Sequence, residues 1–322
     1  MTLIFLSIIA VGVIVIAGLV IFSLYIAHRV EQALPPQGRF INIGADRIHY
    51  VEYGNGPPVV FVHGLSGQLR NFAYLHLNEL AQTHRVILID RPGSGHSTRG
   101  ASSSASIPAQ ARTVAMFIDA MGLNQPVLVG HSLGGAIALA VGLNHPDSVS
   151  RLALIAPLTH LVEAGHAFGG LLIRSPLVRR IVAVTVAIPF AIKGSRSIMD
   201  IVFGPDSVPK DFAMKGGGLL GLRPRSFYAA SSDLMAIADE LPAMETRYAS
   251  LRLPVDVLYG REDRILDWRS HGEALKAKLD RTNLRLVDGG HMLPVTAPAV
   301  TMEWLREIAG EPLTTPASPI AQ

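Results

Sequence analysis

Residues 3–25 contain no charged side chain and are dominated by Ile, Val and Leu. At about 1.5 Å per residue, a helix of that length crosses a hydrocarbon core of about 30 Å. No polar face interrupts the run, as one would in a helix packed on a soluble core. A cleaved signal peptide fits less well, because no Lys or Arg precedes the run, it exceeds an ordinary signal core, and no small-residue cleavage site follows. The pattern predicts an N-terminal transmembrane anchor over 1–29. Arg29, just after the span, favours the cytoplasmic side for the rest of the chain by the positive-inside rule.

Beyond the anchor the pattern changes. Residues 30–39, with Pro35, Pro36 and Gly38, read as a linker. Alternating runs at 40–43 and 48–53 around Gly44 and Asp46 predict an antiparallel hairpin at a sheet edge. Residues 59–62 are apolar on both faces, as a central parallel strand is, and 85–89, 127–130, 151–155, 255–259 and 284–287 continue the series. Helical patterns at 70–82, 108–121, 268–279 and 297–308 alternate with them. Strands alternating with helices imply right-handed crossovers and an α/β fold built on a mostly parallel central sheet.

Residues 157–249 break that alternation. Their apolar stretches, punctuated by Arg174, Arg179, Arg180, Lys193 and Arg196, predict a mostly helical cap inserted into a core formed by 40–156 and 250–310. The stretch 181–192 is too short for a second span and contains Pro189. Basic residues beside apolar ones allow a face that touches a membrane, as well as ordinary cap packing. Residues 311–322, rich in Pro, Thr and Ser, read as a disordered tail.

Composition narrows the chemistry. The 322 residues are 49% hydrophobic and only 16% charged, which calls for apolar surface against a membrane. There is no Cys, so disulfides, thiolate metal sites and a Cys nucleophile are excluded. A net charge of +3 without a Lys/Arg run gives no basis for nucleic-acid binding. No H-E-x-x-H or paired-His spacing suggests a metal, and Gly93-Ser94-Gly95 lacks the Lys of a phosphate loop. No cofactor is expected.

The chemistry concentrates at Gly130-His131-Ser132-Leu133-Gly134, which lies between the apolar strand at 127–130 and a helix-forming run. A turn this tight needs Gly on either side and thrusts the Ser132 side chain out at the top of a sheet. At this point the sequence resembles the α/β-hydrolase family. The resemblance extends over His63-Gly64-Leu65, similar to the family's H-G-x loop, and over Asp90-Arg91-Pro92-Gly93-Ser94-Gly95-His96-Ser97, similar to its D-x-x-G-x-G-x-S turn. It continues through Gly260-Arg261-Glu262-Asp263 and Gly289-Gly290-His291.

A serine hydroxyl needs a base within hydrogen-bond reach, and the base needs an orienting partner. The resemblance implies the order Ser, acid, His, with Ser132 as nucleophile, Asp263 as acid and His291 as base. Glu262, Asp267 and Asp288 are the rival acids. It also implies an oxyanion hole from the backbone N–H groups of Leu133 and Leu65, with His63 shaping the loop. The expected activity is hydrolysis of carboxylic esters, lipid-like or of the monoacylglycerol type, with the substrate and the membrane as partners. C–C bond hydrolysis and cofactor-free haloperoxidase or perhydrolase chemistry use the same side chains and stay open. A membrane-tethered binding protein without catalysis is the reading from another class.

Overall fold

The computed structural model describes residues 2–161 and 166–310. The chain begins with helix α1 (Thr2–Ala33) and then forms strands β1 (Arg39–Ile43), β2 (Asp46–Tyr53) and β3 (Pro58–Val62). Next come α2 (Leu77–Leu80), β4 (Arg85–Ile89), α3 (Ile107–Ala120), β5 (Val127–His131), α4 (Leu133–Asn144) and β6 (Arg151–Ile155). Helices α5 (Pro176–Val184), α6 (Ala187–Phe203) and α7 (Pro224–Glu245) follow without an intervening strand. The chain then returns to β7 (Val255–Gly260), α8 (Ala274–Lys278), β8 (Thr282–Val287), α9 (Leu293–Thr296) and α10 (Pro298–Ala309).

The eight strands form one sheet in the order β1-β2-β4-β3-β5-β6-β7-β8. Pairings β1–β2 and β2–β4 are antiparallel, which puts the expected hairpin at the edge, and the other five pairings are parallel. Strand side chains alternate between faces, and β3 shows the consequence. Val60 and Val62 join a core with α3 and α4 on one face, while Val59 and Phe61 join a second core with α10 on the other. Helices cover both faces, so the central strands are apolar throughout. Because β3 to β8 run in parallel, the loops after β3, β4, β5, β7 and β8 emerge at the same sheet edge.

Three expectations need correction. The stretch 70–82 is a 3-10 turn (Leu69–Phe72) followed by the short α2. Its apolar positions Phe72, Leu75, Leu77 and Leu80 include a two-residue step that one helical face cannot hold. A series of tight turns buries all four instead. The helix expected at 268–279 starts as a π-helical turn (Arg269–Glu273) and continues as α8. The linker expected at 30–39 is helical through Ala33, because Val30 and Leu34 are buried with Leu220 from the segment between β6 and β7. The tail expected at 311–322 lies outside the described residues. Within α1, Ile4–Ala33 is long and apolar enough to cross a membrane.

Candidate active site

Ser132 follows β5 directly and precedes the first residue of α4. Its φ of 56° and ψ of −120° lie where a residue with a Cβ rarely sits, at a cost of order 1–3 kcal/mol that neighbouring structure must hold in place. Neighbouring backbone does so: the Ser132 N–H donates to the Ile155 carbonyl of β6 (3.0 Å), and the Ser132 carbonyl accepts from the N–H groups of Leu158 (3.0 Å) and Gly135 (2.9 Å). Glycine is required at Gly134, where a Cβ would lie 2.2 Å from the Val62 carbonyl oxygen. The Leu133 N–H opens α4 and therefore has no acceptor within its own helix.

The loop after β3 passes directly against the serine. A Cβ on Gly64 would sit 2.8 Å from Ser132 Cβ and 3.3 Å from its Oγ. Leu65 is the next residue, followed by Ser66 at a φ of 55°. His63 is fully buried. Its Nε2 accepts from the Arg91 backbone N–H (3.0 Å), so Nδ1 carries the hydrogen and donates to the Gly64 carbonyl (2.9 Å). Burial, reinforced by the Arg91 charge, pushes the His63 imidazole down to about 3 and keeps it neutral. These contacts fit the loop-shaping role expected of it.

The loops after β7 and β8 meet. Asp263 Oδ2 lies 2.8 Å from His291 Nδ1, with the carboxylate fully enclosed and the imidazole 4% exposed. The other oxygen, Oδ1, accepts from the N–H groups of Ile265 (2.8 Å) and Leu266 (2.9 Å). Burial alone would raise this carboxyl. The His291 charge and hydrogen bond, together with the two backbone donors, outweigh it and hold the group below the usual carboxylate range. The rival acids are engaged elsewhere. Glu262 accepts from the Gly289 N–H (2.7 Å), Asp267 accepts from the Ser270 N–H (3.0 Å), and the Asp288 side chain is 97% exposed. The link from His291 to the serine elbow runs through His131, whose Nε2 lies 3.0 Å from the His291 carbonyl, with the two rings 5.0 Å apart.

Sequence reasoning missed the group behind this edge. Arg91 is fully buried, and its guanidinium donates to the carbonyls of His63 (2.9 Å) and Gly64 (2.9 Å), to Gln110 (2.6 Å) and to Asp233 (2.7 Å). Asp233 lies on α7 and also pairs with Arg99. The only sequence signal was an Arg in the turn directly after the apolar strand β4, which does not name a partner. Asp90 is the other organiser of that turn. Its carboxylate accepts from the N–H groups of Leu69 and His96 (2.8 Å each) and lies 2.7 Å from His49 Nδ1.

The model describing the alpha/beta hydrolase fold matches residues 57–298. The chain belongs to the α/β-hydrolase family. Its relatives include a dihydrolipoyllysine-residue acetyltransferase component of an acetoin cleaving system from Cupriavidus necator, 29% identical over 79% of this chain. The chain spans 64% of that protein's length. A 2-hydroxymuconate semialdehyde hydrolase from a Pseudomonas species is 29% identical over 73% of this chain and 80% of its own. Among solved structures, a membrane phospholipase A superposes with a TM-score of 0.67 over 96% of both chains at 24% identity, a likeness of fold. Against this family's frame, Ser132, Asp263 and His291 each stand in a loop at the carboxyl edge of the parallel strands, where ligands of open α/β sheets bind.

Proposed function

We propose that this α/β-hydrolase cleaves carboxylic esters of lipid-like substrates through an acyl-enzyme on Ser132, held at a bilayer by α1. The observation that carries the reading is the enclosed Asp263–His291 hydrogen bond at the sheet edge where Ser132 sits in its strained elbow. The tautomer follows from it. Asp263 accepts from Nδ1–H and leaves Nε2 free to take a proton.

Ser132 Oγ attacks the ester carbonyl carbon as His291 Nε2 removes its proton, and the carbonyl π electrons move to oxygen. The Leu65 and Leu133 N–H groups receive that oxyanion, each donor being worth roughly 3 kcal/mol in such sites. Collapse expels the alcohol, which leaves with the proton from His291. Water then attacks the acyl carbonyl, giving its proton to His291, and the second collapse returns that proton to Ser132 and releases the acid. Asp263 stays ionised and stabilises the imidazolium in both halves. The segment between β6 and β7 acts as the cap over this site. The uncharged stretch 3–25 of α1 and the cap's apolar surface support a substrate that partitions into lipid.

The 2-hydroxymuconate semialdehyde hydrolase relative supports a second reading, in which the same three side chains cleave such a semialdehyde. One experiment addresses both. The full chain, purified in detergent, is assayed against short- and medium-chain p-nitrophenyl esters, a monoacylglycerol and 2-hydroxymuconate semialdehyde, alongside Ser132→Ala. Ester turnover that Ser132→Ala abolishes is expected. Turnover of the semialdehyde alone would replace the ester reading, and ester turnover that survives Ser132→Ala would sink it.

A further inference from the structure

The C-terminal half of α1 is docked along the insertion rather than standing free of it. Ser23 is fully buried and its hydroxyl donates to the Thr185 carbonyl (3.1 Å), at the corner between α5 and α6. Ile26, Val30 and Leu34 continue the same stripe at helical spacing against Leu219, Leu220 and Leu222. Glu31 adds a charge contact, with its Oε1 3.3 Å from Arg225 and 3.7 Å from Arg223.

That docking fixes the depth of the insertion. Ser23 lies in the last turns of an uncharged stretch that ends before His28 and Arg29, and a hydrocarbon core takes up about 20 helical residues. Ser23, and the Thr185 corner bonded to it, therefore sit at the edge of the hydrocarbon. Moving the span toward the C-terminal end of the stretch would only sink them deeper.

The surface around that corner suits the location. Ile181, four residues before Thr185, is 52% exposed, and Phe190, five residues after it, is 65% exposed. At about 1.5 Å per helical residue, both lie within roughly 8 Å of the corner along their helices. Leu177 and Val178 extend the exposed apolar face one turn further along α5. Arg174, Arg180, Lys193 and Arg196 are exposed around it, and no Asp or Glu occurs from 166 to 199. Apolar side chains ringed by unopposed cations are the pattern of a helix lying in an anionic lipid interface.

We propose that the α5–α6 corner is a bilayer-docking face: Ile181 and Phe190 enter the boundary between headgroups and acyl chains, and Arg180, Lys193 and Arg196 meet anionic headgroups. The proposal rests on reading α1 as a membrane span. It makes the insertion a second, peripheral attachment and fixes its orientation on the lipid. Because α7 of the same insertion carries Asp233, the lipid-facing surface and the loop beside Ser132 are parts of one packed unit.

The chain has no native Cys, so single-Cys variants at four exposed positions give clean labelling sites: Ile181→Cys, Phe190→Cys, Ile9→Cys within α1, and Met116→Cys on α3. Each full-length variant, carrying an environment-sensitive fluorophore, is reconstituted into phosphatidylcholine/phosphatidylglycerol vesicles with brominated or unmodified phosphatidylcholine acyl chains. Bromine is expected to quench positions 9, 181 and 190 at least twofold and to leave 116 unchanged. Replacing phosphatidylglycerol with phosphatidylcholine should weaken quenching at 181 and 190 but not at 9. Quenching at 9 without quenching at 181 and 190 overturns the docking face and leaves the anchor standing. Absence of quenching at 9 overturns the anchor itself. Quenching at 181 and 190 that does not respond to phosphatidylglycerol overturns the role given to the cations.

Discussion

Asp233 on α7 and Arg91 in the turn after β4 form a fully buried ion pair of 2.7 Å. They are 142 residues apart in sequence. Arg91 also donates to Gln110 and to the carbonyls of His63 and Gly64, the loop that lies against Ser132. The insertion thus reaches the neighbourhood of the serine through one carboxylate and one guanidinium, and the loop's conformation depends on both.

Removing the carboxylate should be expensive. Asp233→Ala leaves Arg91 buried without its counter-charge and frees Arg99, so the free energy of unfolding should fall by about 3–5 kcal/mol. Asp233→Asn keeps the acceptor oxygen and should lose less. Denaturant midpoints of the three proteins in the same detergent measure the difference. Equal stability of the Ala variant and the parent would show that the pair holds nothing.

Gly64→Ala probes the approach of that loop to the serine. The new Cβ would fall 2.8 Å from Ser132 Cβ, so either the loop or the serine must shift. A displacement approaching 1 Å at a reacting group costs on the order of 100-fold in rate. The expected result is a large fall in kcat for ester hydrolysis with the denaturant midpoint little changed, read from steady-state kinetics and unfolding side by side.

Asp263→Asn tests the orienting role. An amide can present its N–H to Nδ1 and impose the wrong imidazole tautomer, and in serine hydrolases this lowers kcat roughly 10⁴-fold. Glu262→Gln, which alters only the contact to the Gly289 N–H, should stay within a few-fold of the parent. If the two variants lose activity equally, the acid is not Asp263.

His131 predicts a pH dependence of stability. Burial, followed by the nearby His291 charge, lowers its imidazole to about 3. The folded value lies below the ordinary value near 6.5, so the unfolded chain binds a proton that the folded chain does not. The stability tied to this group is complete above about pH 6.5 and is lost as pH falls toward 3, at up to about 1.4 kcal/mol per pH unit. His63 has the same sign and a similar window. Unfolding free energies measured between pH 6.5 and 4.5 should show a shallower slope for His131→Gln than for the parent, and identical slopes would mean that His131 is charged in the folded state.

Much of this molecule is legible along the chain because local physics decides it. The apolar runs of β3 to β7 reveal strands covered on both faces. The glycines around Ser132 mark a turn that only they permit, and residues 3–25 are too apolar for too long to belong to an ordinary surface. The order of Ser132, Asp263 and His291 along the chain is visible too, each just beyond a strand.

Other features depend on contacts between residues far apart in sequence. Whether Glu262, Asp263, Asp267 or Asp288 faces His291 depends on how the loops after β7 and β8 cross, and the tertiary structure gives Asp263 an enclosed 2.8 Å bond. The partner of Arg91 comes from α7, which no periodicity connects to β4. The prolines and glycine of 30–39 read as a linker. The helix nonetheless runs to Ala33, because Val30 and Leu34 find apolar partners on the insertion. Propensity and periodicity act over a turn or two of chain. The placement of a charge beside its counter-charge, or of a helix against the segment that covers it, is set by the closure of the whole fold, and only the tertiary structure decided it.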